Sequence, residues 1–173
     1  MSMFGRAKAI FKSRKKSRPS SEEKTVENLV IGDVVSYYGQ DFIVKGSIKY
    51  SEGGDLWFEY RLVEGDEVKW LGVEQDDGLE LTFWEKVKMR IPKPVPDVLS
   101  CKGEEFELEE HGHAKATLTE ESGNARILDV EYWDFEGKDE NLLSVERWGE
   151  EYEISVGRSI NDYDIEVYPG SLD

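Results

Sequence analysis

An all-β fold, built as a duplicated antiparallel meander packed into a sandwich or a barrel, follows from three observations. Val, Ile, Thr, Tyr, Phe and Trp together number 48 of the 173 residues, against five alanines. β-Branched and aromatic side chains suit a pleated, half-buried surface, whereas a helical chain of this size uses far more Ala. Apolar residues alternate: Phe58, Tyr60 and Leu62 share one strand face, with Trp57, Glu59 and Arg61 on the other. Turn signals recur at short intervals, as at Tyr38-Gly39-Gln40, Glu52-Gly53-Gly54-Asp55, Glu64-Gly65-Asp66, Asp76-Asp77-Gly78, Ser122-Gly123-Asn124 and Glu136-Gly137. Ten or eleven short strands joined mainly as hairpins are expected. No four consecutive apolar residues occur, so a transmembrane helix or secretory signal is not expected.

The first element is a basic arm and linker, residues 1–24. Residues 1–18 carry Arg6, Lys8, Lys12, Arg14, Lys15, Lys16 and Arg18 with no acid, and Pro19-Ser20-Ser21 closes the segment. The whole chain has formal charge −16, so the remaining residues, with 15 basic and 38 acidic groups, carry 15 − 38 = −23. As a helix, residues 3–12 would align Met3, Phe4, Ala7, Ile10 and Phe11 on one face, away from Arg6, Lys8 and Lys12. Such a segment can lie on an anionic membrane surface. Its candidate contacts are Phe4, Arg6, Lys8, Ile10, Phe11, Lys12, Arg14, Lys15, Lys16 and Arg18. Electrostatic attraction has a ceiling near ~7 kcal/mol before ordering costs, which points to weak, reversible docking. The competing reading is a disordered basic tail, which can also fold back on the acidic body.

The body, residues 25–173, is a single β domain divided by Ile91-Pro92-Lys93-Pro94-Val95-Pro96. Alternating prolines lack ladder donors and cannot occupy a central strand. Residues 25–90 and 97–173 then read as two repeats around a 91–96 linker. Glu59-Tyr60, Glu64-Gly65, Leu71 and Val73-Glu74 recur 72 residues later as Glu131-Tyr132, Glu136-Gly137, Leu143 and Val145-Glu146. A second echo relates Gly39-x-x-Phe42 to Gly103-x-x-Phe106 at an offset of 64. Two repeats are too few for an open solenoid, so they are expected to pack on each other.

The first half also carries a sequence pattern. Gly32-Asp33-Val34-Val35 leads into Gly39-Gln40-Asp41-Phe42-Ile43-Val44-Lys45-Gly46-Ser47-Ile48-Lys49-Tyr50, then Trp57-Phe58-Glu59-Tyr60-Arg61-Leu62 and Trp70-Leu71-Gly72-Val73-Glu74. Over most of residues 29–170 this resembles the bacterial family catalogued as domain of unknown function 4178. The resemblance implies a bacterial, intracellular, mostly β domain without an established activity. It also implies an association with envelope-stress and polyamine-synthase-like genes, and it transfers no catalytic residue.

In the body, Glu59 and Glu74, with repeat partners Glu131 and Glu146, are cation-binding candidates for a polyamine or a metal. If Tyr60 pairs with Val73, Glu59 faces Glu74 beside Trp57 and Trp70, and facing like charges call for a cation. A solvated face with Arg61 as counter-charge competes with this. His111-Gly112-His113 reads as an exposed turn with two co-oriented imidazoles, short of the four ligands a zinc site uses. Cys101 cannot form an internal disulfide, is expected to be accessible after the proline segment, and fits a reducing compartment.

No nucleophile elbow, phosphate-binding loop or zinc-protease helix is present, so no catalytic residue or cofactor is expected. Nucleic-acid stacking lacks its positive groove in a body of charge −23. Trp57, Trp70, Trp84, Trp133 and Trp148 read instead as core and inter-repeat packing. The expectation is a non-enzymatic binding or adaptor protein, cytoplasmic and peripheral at the inner membrane face, with an unknown protein partner. A small-cation module is the alternative, and an undetected hydrolase comes third.

Overall fold

The computed structural model describes residues 23–170. The arm residues from Phe4 to Arg18 therefore lie outside the described residues. Eleven strands follow in order: β1 (Val34–Tyr37), β2 (Gln40–Glu52), β3 (Asp55–Glu64), β4 (Glu67–Gln75), β5 (Leu79–Val87), β6 (Val98–Cys101), β7 (Glu104–Glu120), β8 (Ala125–Glu136), β9 (Asn141–Trp148), β10 (Glu151–Ile160) and β11 (Ile165–Tyr168). A single 3₁₀ turn, Asp162–Asp164, precedes β11. No described helix is long and apolar enough to cross a membrane.

Each half is a five-strand meander in which every strand pairs with the next, β1 to β5 and then β6 to β10. The halves join twice. β5 pairs with β10 and β2 with β7, so the sheet runs β2-β3-β4-β5-β10-β9-β8-β7 and returns to β2. The expected choice between sandwich and barrel thus resolves toward one sheet curled into a ring. β1 with β11, and β6, lie outside the ring on the opening stretches of β2 and β7. The proline segment crosses between the halves, with a cis peptide before Pro94.

The opening hairpins of the two halves superpose in register. Tyr37 pairs with Gln40 around Tyr38-Gly39, and Cys101 pairs with Glu104 around Lys102-Gly103. Both central residues take positive φ in each turn, 48° and 78° against 52° and 79°. Two such residues set the twist that a two-residue hairpin needs, and glycine supplies one at no steric cost. The offset of 64 is therefore a structural correspondence as well as a sequence one.

Among the described residues three large buried clusters hold the sheet, and Trp84 with Leu142 forms a fourth, small one at the β5–β10 joint. Val35, Phe42, Val44, Tyr60, Leu62, Leu71, Val73 and Leu81 pack on the outer face of the first half. Leu99, Phe106, Trp133, Phe135, Leu143, Val145 and Ile154 do the same for the second. The third gathers Ile48, Tyr50, Trp57, Ala114, Ala116, Val130 and Tyr132 from β2, β3, β7 and β8. Its face looks into the ring, because hydrogen bonds from Tyr50 on β2 reach Glu146 on β9.

The 72-residue offset keeps faces between β4 and β9: Leu71 and Leu143, Val73 and Val145 all lie outside. It flips them between β3 and β8. Tyr60 sits in the outer cluster, whereas Tyr132 sits in the inner one. The cause is loop length. Glu64 pairs with Glu67 across two residues, while Glu136 pairs with Leu142 across residues 137–141. An odd difference moves every side chain of a strand to the opposite face.

Candidate functional site

The ring interior is lined by acid and aromatic side chains. Tyr50 hydroxyl contacts Glu59 Oε2 at 3.1 Å and Glu146 Oε2 at 2.9 Å, joining two of the four expected glutamates. Tyr132 is placed likewise, its hydroxyl donating to Glu52 and lying 3.3 Å from Glu110 Oε1. Trp57 sits between the two phenols, stacked on Tyr50 at 5.3 Å and edge-on to Tyr132 at 5.9 Å. A small space of about 30 Å³ lies beside Glu59, Glu146, Glu153, Lys86, Ser144 and Ser155. That is room for one water or one bare ion.

Neither expected facing pair, Glu59 with Glu74 or its repeat Glu131 with Glu146, forms: Glu131 lies opposite Arg147 and Glu146 opposite Tyr132. Tyr60 pairs with Leu71, not Val73, so Glu59 lies opposite Gly72 and Glu74 opposite Trp57. Glu74 faces Glu80 instead. Burial, with the charge of Asp76 adding, pushes the Glu80 carboxyl up to about 7. One Glu80 oxygen and the indole nitrogens of Trp70 and Trp148 are buried without a hydrogen-bond partner among the described residues. Glu131 lies outside the ring because of the face flip between β3 and β8. Its Oε2 lies 3.1 Å from His111 Nε2 and from His113 Nε2, and Arg147 Nε donates to Oε1 at 2.9 Å. Burial works to raise the Glu131 carboxyl, but these partners outweigh it and hold it below the usual range.

The two histidines stand in the middle of strand β7, not in a turn. Gly112 between them serves close packing within the strand, not a turn. A Cβ there would meet the Tyr132 hydroxyl oxygen at 2.5 Å and a Glu52 oxygen at 2.7 Å. Glycine lets the phenol lie across the backbone. No group of three metal-ligating side chains suited to an ion occurs among the described residues. Cys101, expected to be accessible, is buried against Phe106 and Leu99.

A larger cavity of about 330 Å³ lies where β5 meets β10. Tyr37, Phe83 and Trp84 of the first half and Cys101, Phe106, Leu142, Val156 and Gly157 of the second form its apolar part. Lys69, Glu85, Lys102, Glu104, Asn141 and Arg158 make up the polar remainder. Many of these residues are counterparts. Tyr37 and Cys101 end their first strands, and Trp84 and Gly157 face each other across the joint. Wherever the first half carries a bulky ring, the second carries Cys101, Val156 or Gly157. At Cys101 and Val156 that size mismatch leaves room in the cavity, whereas at Gly157 the facing Trp84 ring takes up the space. Gly157 is compelled, because a Cβ would lie 2.5 Å from the Trp84 ring. The sequence displayed both halves of this mismatch, but only the β5–β10 pairing brings them together.

Comparison with known proteins agrees with the sequence pattern. The model of the family described as Domain of unknown function (DUF4178) matches residues 30–162. An uncharacterized protein of Mycobacterium bovis is 36% identical over 147 residues, covering 80% of this chain and 70% of its own. Uncharacterized proteins of two Mycobacterium tuberculosis strains match with the same identity and coverage. No solved structure matches the chain. With the family pattern spanning the ring from before β1 to the end of β10, the chain belongs to this family of domains of unknown function.

Proposed function

We propose that the chain is a non-enzymatic binding domain whose ligand occupies the cavity at the β5–β10 joint. The observation that carries this reading is the cavity itself. About 330 Å³ with an apolar floor and a charged rim falls within the range of small-molecule sites. Its lining pairs no nucleophile with a histidine base, which favours retention of a ligand over its conversion. The test is titration with the fluorescent probe anilinonaphthalene sulfonate. Native protein is expected to take up one equivalent, and Val156→Trp, which fills the space, to abolish it. No uptake, or uptake that Val156→Trp leaves intact, overturns the reading.

In the same reading, the basic arm carries the domain to the anionic inner face of a bacterial membrane, which rests on its composition of seven cations and no acid. Co-sedimentation with anionic liposomes, lost when residues 1–18 are removed, is the expected outcome. Equal pelleting of both forms rejects it.

A second reading, a small-cation site inside the ring, draws on Tyr50 holding Glu59 and Glu146 together. The space of about 30 Å³ favours a single ion over a polyamine. Calorimetry with Ca²⁺ and spermidine at two salt concentrations tests it, and absence of heat with both rejects it.

A further inference from the structure

We propose that the ligand of the joint cavity is a small amphipathic anion, a carboxylate or phosphate ester on an apolar body. This rests on the binding reading above and adds the ligand's chemistry. The acids of the rim are already engaged. Glu85 accepts the Lys69 ammonium at 3.2 Å. Glu104 accepts the Lys138 backbone N–H at 2.8 Å and the Asn141 amide at 3.0 Å. Lys69 is committed in turn to Glu85 and Glu67.

The remaining cations are Lys102 and Arg158, and neither makes an ion pair or side-chain hydrogen bond with a described residue. On a chain of net charge −16, two cations without a partner among the described residues, at one apolar mouth, reverse the prevailing sign. Lys102 lies in the turn beside Cys101, and Arg158 lies opposite Phe83 across the β5–β10 joint. Their correspondence to the first half sharpens this. Lys102 stands where Tyr38 stands in the matching turn. Arg158 follows Gly157 as Glu85 follows Trp84 across the joint. The second half thus supplies both the smaller side chains, Cys101 and Val156, and the positive charge. Arg158 can meet a carboxylate or phosphate with two parallel N–H donors, while Lys102 adds a point charge. Phe83, Phe106, Leu142 and Val156 then cover the apolar body.

The test is calorimetric titration of the full chain with octanoate, octyl phosphate and octanol, which share one tail. Octanoate or octyl phosphate is expected to bind about tenfold tighter than octanol, as one charge-assisted hydrogen bond predicts. Binding of only one of the two anions identifies which head group the site takes. Replacing Lys102 and Arg158 by Gln is expected to remove the preference while octanol binding is unchanged. These exposed positions carry no core packing, so the variant keeps the fold, with near-ultraviolet circular dichroism as the check. Equal binding of all three, or a preference that survives the double variant, overturns the anionic assignment and leaves the cavity reading standing. Binding of none overturns both.

Discussion

Replacing Gly112 by Ala tests the packing of the ring interior. The added methyl would lie 2.5 Å from the Tyr132 hydroxyl oxygen, 2.7 Å from a Glu52 oxygen and 2.8 Å from Tyr132 Cζ. All three are closer than van der Waals contact allows, so the phenol must leave its place between Glu52 and Glu110. Overpacking of this kind costs about 1–3 kcal/mol. Loss of a hydrogen bond to a carboxylate adds about 1.5–3 kcal/mol. Against these stands a gain of about 0.5–1 kcal/mol from replacing a mid-strand glycine. The net expectation is a loss of about 1.5–5.5 kcal/mol, or roughly 3–20 °C in Tm for a domain of this size. Urea unfolding followed by tryptophan fluorescence measures it, with Trp57 beside the displaced ring as reporter. The same substitution in a Tyr132→Leu background supplies the control, since the obstructing phenol is then absent. A cost below about 0.5 kcal/mol, or the same cost in both backgrounds, refutes the account.

Three further outcomes follow from the geometry. The folded Glu80 carboxyl titrates near 7 against 4.5 for the ordinary group, so the folded chain retains a proton that the unfolded chain has released. Stability should therefore fall as pH rises from about 4.5 to 7, by about 1–2 kcal/mol once solvent screening is allowed for, and Glu80→Gln should flatten this slope in melting curves. Asp33 accepts the Val30 N–H at 2.8 Å, the Gly170 N–H at 3.0 Å and the Lys24 ammonium at 2.9 Å. Burial works to raise its carboxyl, but these partners prevail and hold it below 3.8, so its contribution is present above that pH and lost as pH falls through the folded value. Asp33→Ala should cost about 2–4 kcal/mol in chemical denaturation at pH 7. Phe135, fully buried among Leu143 and Val145, should cost about 3–5 kcal/mol when replaced by Ala, read from the shift of the urea midpoint.

The sheet was legible because its signals are local. Alternation at Phe58, Tyr60 and Leu62 and the turn at Gly39 each depend on a few consecutive residues, and both hold in the structure. The site was legible only in part. Glu59 and Glu146 were singled out, yet what joins them is Tyr50, whose importance appears only when β2 faces β9 across the ring. The placement of Glu131 outside the ring was not legible, because an odd change in loop length leaves local patterning intact while reversing the face. Arg158 and Gly157 escaped notice for a related reason. Their partners Phe83 and Trp84 lie 75 and 73 residues away, at 158 − 83 and 157 − 84, and no local signal spans that gap.

Closing the ring through β2 and β7 also reduces the strand edge that this chain offers to neighbouring copies. A curled sheet of this length would otherwise present two long rows of unpaired backbone donors and acceptors, a template for joining copies edge to edge. Here the outermost strands are β6 and β11, four residues each, and residues 109–114 of β7 and 125–130 of β8 are the longer stretches paired on one side only. Pro96 lies just before β6 and Pro169 just after β11, and neither has a donor to offer an incoming strand. Variants that loosen the β2–β7 seam would therefore be expected to aggregate before they lose the rest of their secondary structure.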